Sequence, residues 1–440
     1  MRNVHKLKAS ITIFARLIIA MIKRRMTRMK SNSLLKATGL CLLFALLLTS
    51  YNWSKVKGVS PTTVYENSGH TIDITKKITP HSPIQATIDK MSLKEKIGQL
   101  VMVGVDSTSM DRRIKKLIQQ QHVSGAILFT KNLESVQQAK QLINNLKKSN
   151  ANNPASMFIG IDEEGGRVSR MPEEFLSTPA SREIGDSADL NWAYHTGQVI
   201  AMKVASLGFN INFAPVLDID SNSNNPVIGD RSFGSSPAKV SDFGITQMKG
   251  MQSEQVISVV KHFPGHGDTT SDSHIQLPTI DHPKSRLMQV ELLPFQRAIT
   301  KGADAVMVGH LLVTAYDNDS PASMSKTIIS GLLREELDFN GVVVADDMTM
   351  GAIQDNYDIG EAAVQSIKAG SDLILVCHDY DNAESVINGI KYAVQADEIT
   401  EMRIDQSVER ILKLKQKYQL TDASIEHVAI DEINQAIKTW

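Results

Sequence analysis

The chain has almost no cysteine. Only Cys41 and Cys377 occur in 440 residues, so no disulfide framework supports the fold and the core must come from apolar burial. Cys377 reads as a small buried residue at a strand end. Neither sign of charge dominates. The 47 Lys and Arg against 48 Asp and Glu leave a net charge of −1, which argues against a general nucleic-acid binder. No His-Glu-x-x-His segment or common zinc spacing is present. Long apolar runs are also missing. The most apolar stretch, Gly39–Leu48, falls short of the ~20 residues that a membrane span needs. What is present is ordinary globular composition, 42% hydrophobic and 22% charged, with ample length for a large core.

The N-terminal region carries a targeting pattern. Lys23, Arg24, Arg25, Arg28, Lys30 and Lys36 precede Gly39–Leu48, as the basic and apolar parts of a secretory signal do. A second apolar stretch, Ile11–Ile22, lies upstream, and a start at Met29 would give a leader of conventional length. No clean small-x-small cleavage site follows, so an uncleaved single anchor is the alternative. Leu40-Cys41 is a poor lipoprotein signal, because the apolar run continues past the cysteine. Either form predicts an exported body, periplasmic or otherwise extracytoplasmic, touching the membrane only through residues 1–50. Residues 51–83 are rich in Ser, Thr, Lys and Asn without a clear period and read as a linker or arm. A single domain is expected over 84–425, with a tail over 426–440.

From Ile84 onward short apolar runs alternate with helical patterns. The runs are Gln99–Val105, Gly125–Phe129, Met157–Ile161, Ile211–Leu217, Val256–Val260, Ala305–Val308, Val342–Ala345 and Leu373–Val376. Most are near-continuously apolar, as parallel strands buried on both faces are. Helical spacing falls between them over Glu134–Lys148, Leu190–Ser206, Pro237–Ser253, Ser285–Thr300 and Ile359–Lys368. Eight strand-then-helix units predict an α/β fold, a (β/α)8 TIM barrel. The final helical segment, Thr400–Tyr418, is expected to lie on the outside.

The densest chemistry follows the fifth run. Lys261-His262-Phe263-Pro264-Gly265-His266-Gly267-Asp268 is followed by Asp272-Ser273-His274. By residue type alone this is a polar surface loop, a His/Asp metal site, or a proton-transfer site in which a carboxylate fixes one imidazole nitrogen and leaves the other free. In a barrel, the C-terminal strand ends share one mouth. Asp162 ends the third strand, Lys261 and His262 the fifth, His310 the sixth and Asp346 the seventh.

Lys-His-Phe-Pro-Gly-His-Gly, with Asp-Ser-His four residues later, resembles the signature of family 3 glycoside hydrolases of the β-N-acetylglucosaminidase type. Further segments resemble that family in order: Ile161-Asp162-Glu163-Glu164-Gly165-Gly166-Arg167, Asn212–Asp218, Gly229-Asp230-Arg231-Ser232-Phe233-Gly234 and Val344–Met350. The likeness runs from about Ile84 to Leu420. It implies a TIM barrel and a retaining mechanism, without cofactor or metal. It also implies Asp346 as nucleophile and an Asp272–His274 dyad as acid/base. Adjacent extended residues point oppositely, so only one of Asp346 and Asp347 can face a sugar, and the resemblance selects Asp346. It further implies Asp162, Arg231, Lys261 and His262 as binders of sugar hydroxyls and the acetamido oxygen. Arg167 is a weaker candidate, His266 a brace for the acid loop, and His310 divides between site and packing.

The expected substrate is a small glycan, N-acetylglucosamine-containing muropeptides or chitooligosaccharides, acted on by a monomer with no nucleic-acid partner. The rival expectations are a β-glucosidase, a β-N-acetylglucosaminide phosphorylase, a metal-dependent hydrolase using the His cluster, and a non-catalytic cell-wall glycan-binding protein.

Overall fold

The computed structural model describes residues 82–275 and 277–439. The leader and nearly all of the 51–83 arm lie outside the described residues. No helix among the described residues is long and apolar enough to cross a membrane.

Eight parallel strands close a barrel. They are β1 Val101–Gly104, β2 Gly125–Ile127, β3 Phe158–Ile161, β4 Ile211–Asn212, β5 Ile257–Phe263, β7 Ala305–Val308, β9 Val342–Ala345 and β10 Leu373–Val376. Each pairs with the next in chain order, and β10 returns to β1 through Val101 opposite Ile374. Two short strands, β6 Thr279–Ile280 and β8 Leu312–Val313, pair outside the barrel and tie the loops that follow β5 and β7. The runs are apolar at every position because both faces are buried. Met307, Val342, Val344, Leu373 and Leu375 meet inside the barrel. Their neighbours Val306, Val308, Val343, Ile374 and Val376 face the helices. Each such side chain contributes ~1.5–3 kcal/mol of burial.

Helices return the chain after every barrel strand. Leu190–Ser206 starts where the Asp189 carboxylate accepts a hydrogen bond from the Asn191 amide, and Pro237–Ser253 starts at a proline. Both bounds match the sequence pattern. The expected Ser285–Thr300 helix is instead two, Lys284–Gln289 and Leu293–Thr300. Val290 leaves helical geometry at ψ −81°, and Pro294 restarts the helix where its missing N–H costs nothing.

The helix Glu401–Lys417 differs from expectation in position. Its Ile411 and Leu414, with Tyr418, join the barrel's interior cluster, so it closes the floor rather than lying on the outer ring. The tail is also ordered into a helix, Ile430–Lys438. It buries Ile433, and Asn434 pairs with the backbone of Glu174 and Leu176.

Candidate active site

Strand alternation decides what enters the mouth. Phe158 on β3, Val259 on β5 and Val344 on β9 point inward. Residues an even number further on share that face. Asp162, Lys261 and Asp346 therefore turn toward the axis, and all three line a cavity of about 320 Å³ at the C-terminal strand ends. The same cavity receives Arg231, His262, Asp272 and His274. The seven residues expected to react or to bind sugar thus line one cavity, whereas His310 does not reach it.

β5 runs three residues beyond the apolar stretch that marked it, to Phe263, with a register shift between Val260 and Phe263. Lys261 and His262 are buried strand residues, as their expected place at the strand's end requires. They tolerate burial because each is paired. Lys261 Nζ lies 2.6 Å from Asp162 Oδ1 and 2.7 Å from Glu164 Oε1. Arg231 grips Glu164 with two nitrogens, both at 2.8 Å. Burial alone would push the Glu164 carboxyl up, but Arg231 and Lys261 outweigh it and hold the group far below its usual range. Burial likewise opposes charge on Lys261, and Asp162 and Glu164 more than restore it. The result is a fixed lattice of charge-assisted donors and acceptors that suits a polyhydroxylated ligand.

His262 is set by Asp218. That fully buried carboxylate lies 2.6 Å from His262 Nδ1 and accepts the His262 and His266 amides at 3.2 and 2.7 Å. His266 is buried between Thr269 Oγ1 at 2.8 Å and Ser273 Oγ at 2.9 Å. It therefore braces the stretch that carries the dyad. Burial first, and His262 second, lower its pKa to about 4, so it stays neutral. Two glycines permit the turn. Gly265 has φ +126°, and a Cβ on Gly267 would sit 1.7 Å from the Ile219 carbonyl oxygen.

Asp272 and His274 lie at the lip. His274 Nδ1 is 2.7 Å from Asp272 Oδ1, and the His274 amide donates to the same oxygen at 2.8 Å. The His274 side chain is 64% exposed. Burial works to raise the Asp272 pKa, but the hydrogen bonds from His274 lower it overall. The segment rests on the chain that follows β9. The Gly351 and Ala352 amides donate to the His274 and Ser273 carbonyls, each at 3.2 Å.

The two adjacent aspartates have different employment. Asp347 accepts the Cys377 amide at 2.9 Å, the Thr349 amide at 3.0 Å and the Thr349 hydroxyl at 2.6 Å. Its carboxylate is consumed in holding the loop. Among the described residues Asp346 accepts only the Asp347 amide, at 2.8 Å, and it lines the cavity. Burial would raise its pKa, but His262 and His310 outweigh that and lower it, so it stands as an anion. His310 itself is fully buried between Ser323 Oγ at 2.7 Å and the Asp347 carbonyl at 2.9 Å. It positions the segment. Arg167 lines the cavity but is bound to Asp230 at 2.6 Å and to the Val227 carbonyl at 2.8 Å.

The histidines do not converge as a metal set, since His262, His266 and His274 each answer to a separate protein partner. One acidic and imidazole group, Asp268, His282 and Glu291, does gather within 4.8 Å. Arg286 lies against it, 2.9 Å from Glu291.

Sequence reasoning missed Glu164 and Asp218 as working residues. Glu164 shares strand parity with Asp162, which was a usable signal. Nothing local in Leu217-Asp218 announces that this carboxylate will sit beneath His262.

Carboxylates, cations and an Asp–His pair meet at the mouth of a (β/α)8 barrel, and comparison with known proteins fixes the family. Residues 92–414 match the glycosyl hydrolase family 3 N-terminal domain, and the chain belongs to that family. It is 34% identical over 343 residues to beta-hexosaminidase A of Pseudoalteromonas piscicida, covering 72% of this chain and 57% of that protein. It is also 34% identical to a beta-hexosaminidase of Hydrogenovibrio crunogenus over 299 residues, 66% of this chain and 82% of that one. The solved structure of a family 3 β-N-acetylglucosaminidase from Paenibacillus sp. str. FPU-7 superposes with a TM-score of 0.75 at 41% identity. That match covers 79% of this chain and 68% of the other.

Proposed function

We propose that this chain is a retaining exo-β-N-acetylglucosaminidase. The observation that carries the reading is the division of labour at the mouth. One ionised carboxylate, Asp346, is left facing the cavity, and an Asp–His pair stands at the lip. Asp346 attacks the anomeric carbon as the glycosidic bond breaks, giving a glycosyl-enzyme ester. His274, oriented through Nδ1 by Asp272, donates a proton from Nε2 to the departing oxygen. The neutral imidazole then takes a proton from the water that cleaves the ester, regenerating Asp346. Asp162, Lys261, His262 and Arg231 hold the sugar's hydroxyls and acetamido group through the charge lattice.

The substrates are small glycans ending in β-linked N-acetylglucosamine, from peptidoglycan or chitin. The basic-then-apolar leader supports action outside the cytoplasm. The names of the similar proteins support the hexosaminidase branch over a β-glucosidase.

The test compares aryl β-N-acetylglucosaminide with aryl β-glucoside, with and without phosphate and chelator. The reading expects chelator-indifferent hydrolysis of the first, lost in Asp346→Asn and severely reduced in His274→Ala. Preference for the glucoside, dependence on phosphate, or loss on chelation would each replace it with a named rival.

A further inference from the structure

Strand parity separates two adjacent glutamates. Phe158 on β3 points into the barrel, while Ile159 and Ile161 face the helices. Asp162 and Glu164 continue the inward row and line the mouth cavity, so Glu163 continues the outward one. Its side chain is fully buried between the barrel and its helices, where Lys203 of Leu190–Ser206 meets it at 2.7 Å. Neither residue lines the cavity, and the proposed reaction uses neither. A fully buried ion pair adds little net stability over an apolar pair of similar size, because desolvation offsets the attraction. Its hydrogen-bond directions, however, are specific.

What the pair holds is the chain after β3. Asn212 on β4 clasps the backbone of Glu163, accepting its amide and donating to its carbonyl, both at 2.9 Å. The Glu163 carboxylate then accepts the Ser169 hydroxyl at 2.8 Å and the Arg170 amide at 2.7 Å. Lys203 Nζ also reaches the Leu176 carbonyl at 3.3 Å. Between these ties the chain turns sharply, with Gly165 at φ +92°, Gly166 at φ +54° and the Glu164 amide bonded to the Val168 carbonyl at 2.9 Å. One buried pair thus ties both legs of the turn that begins at Glu164, the carboxylate that grips Arg231 and Lys261.

We infer that Glu163 and Lys203 are positioning residues for sugar binding. The pair sets the path of residues 163–176 from behind the mouth, and so keeps Glu164 and its two cations in register with the ligand. Shifting a bound group by about 1 Å costs up to ~10²-fold in rate, so a loop set from outside the cavity still governs what happens within it. The inference rests on the proposed reaction for the identity of the sugar.

The experiment measures KM, kcat and the pH profile of kcat on an aryl β-N-acetylglucosaminide, beside a thermal melt, with the full chain. Lys203→Met leaves a buried carboxylate unpaired and should lower the melting temperature by about 10 °C. Adding Glu163→Gln removes that charge and should return the melt to within about 3 °C of wild type. KM in the double variant should stay raised about tenfold, with kcat within about threefold. Its pH profile should be that of wild type, since the Asp272–His274 dyad is untouched. Ser169→Ala removes one tie and keeps the pair, so it should raise KM about threefold on an unchanged melt. This variant decides the matter even if the double variant does not fold. Wild-type KM in either of these two variants would overturn the inference and leave the pair a purely structural one. A loss of kcat at unchanged KM would also overturn it. A folded wild type that hydrolyses no β-N-acetylglucosaminide would overturn the reading of the reaction, and this inference with it, an outcome distinct from losses confined to the variants.

Discussion

The two ends of the barrel carry the same chemistry and put it to different use. At the floor, Asp372 precedes β10 and is fully buried among three arginines. Arg334, Arg410 and Arg403 approach it at 2.5, 3.1 and 3.9 Å. It also accepts the Ser407 hydroxyl at 2.7 Å and the Val343 amide at 3.0 Å. The arginines spend further donors on backbone carbonyls, Arg334 on Phe339 and Gly341, and Arg403 on Ile367 and Ser371. The floor helix itself supplies Arg403, Ser407 and Arg410 to the cluster. At the mouth, two carboxylates meet two cations, and the lattice borders an open cavity. Burial, with the neighbouring cation Arg410, lowers the pKa of Arg334, whereas carboxylates raise those of Lys261 and Arg231 against burial. Charge clusters alone therefore do not mark a site. The end of the strand on which they sit decides whether they hold the fold together or meet a ligand.

Substitutions at the two ends should separate activity from stability. The largest effect belongs to Asp346→Asn. It should lower kcat by ~10⁴-fold or more and move the melting temperature by only about 3 °C, since Asp346 holds little of the loop. Kinetics beside a thermal melt checks both. A collapse of the fold would erase the distinction from Asp372. His274→Ala should follow, lowering kcat by ~10²–10⁴-fold on substrates with poor leaving groups and leaving the melt unchanged, because the side chain is exposed.

Asp372→Ala should do the reverse. Leaving three buried arginines without their carboxylate should cost ~3–5 kcal/mol in urea unfolding. The kcat of the molecules that remain folded should stay within about twofold of wild type. Loss of kcat without loss of stability would contradict the division between the ends.

The pH dependence of stability sharpens the comparison further. His266 is held neutral by burial with a folded pKa of about 4, against about 6.5 when unfolded. The unfolded chain takes up its proton first on acidification. The contribution is therefore fully present above pH ~6.5 and is lost as pH falls toward ~4, by up to about 3 kcal/mol. Urea midpoints across that window should show a steeper decline for wild type than for His266→Gln. Equal slopes would mean that His266 is not the buried neutral brace described above.

The sequence made most of this architecture legible, for a physical reason. Strands buried on both faces, such as Val342–Ala345 and Leu373–Val376, must be apolar at every position. Their bounds could be read directly. Ends were lost where polar residues are buried by pairing. The apolar run of β5 stops at Val260, and Lys261 and His262, placed at the strand's end from the sequence, continue the strand because Asp162, Glu164 and Asp218 satisfy them, while its extension to Phe263 was not legible. The helix over Lys284–Thr300 hid its break because spacing does not report the ψ of Val290. The floor position of Glu401–Lys417 was invisible because an apolar stripe does not name the surface it covers. At the mouth, strand parity and motif order brought the candidate residues together. Asp218 and the Glu163–Lys203 pair went unseen because their partners lie far away in sequence.

The central claim is that Asp346, and not its neighbour, carries the sugar between the two chemical steps. The most direct measurement is to trap that intermediate with a 5-fluoro-N-acetylglucosaminyl fluoride and map the labelled peptide by mass spectrometry. The account predicts a single glycosyl adduct on Asp346, absent from Asp346→Asn. An adduct on Asp347, or none from an enzyme that consumes the reagent, would contradict it.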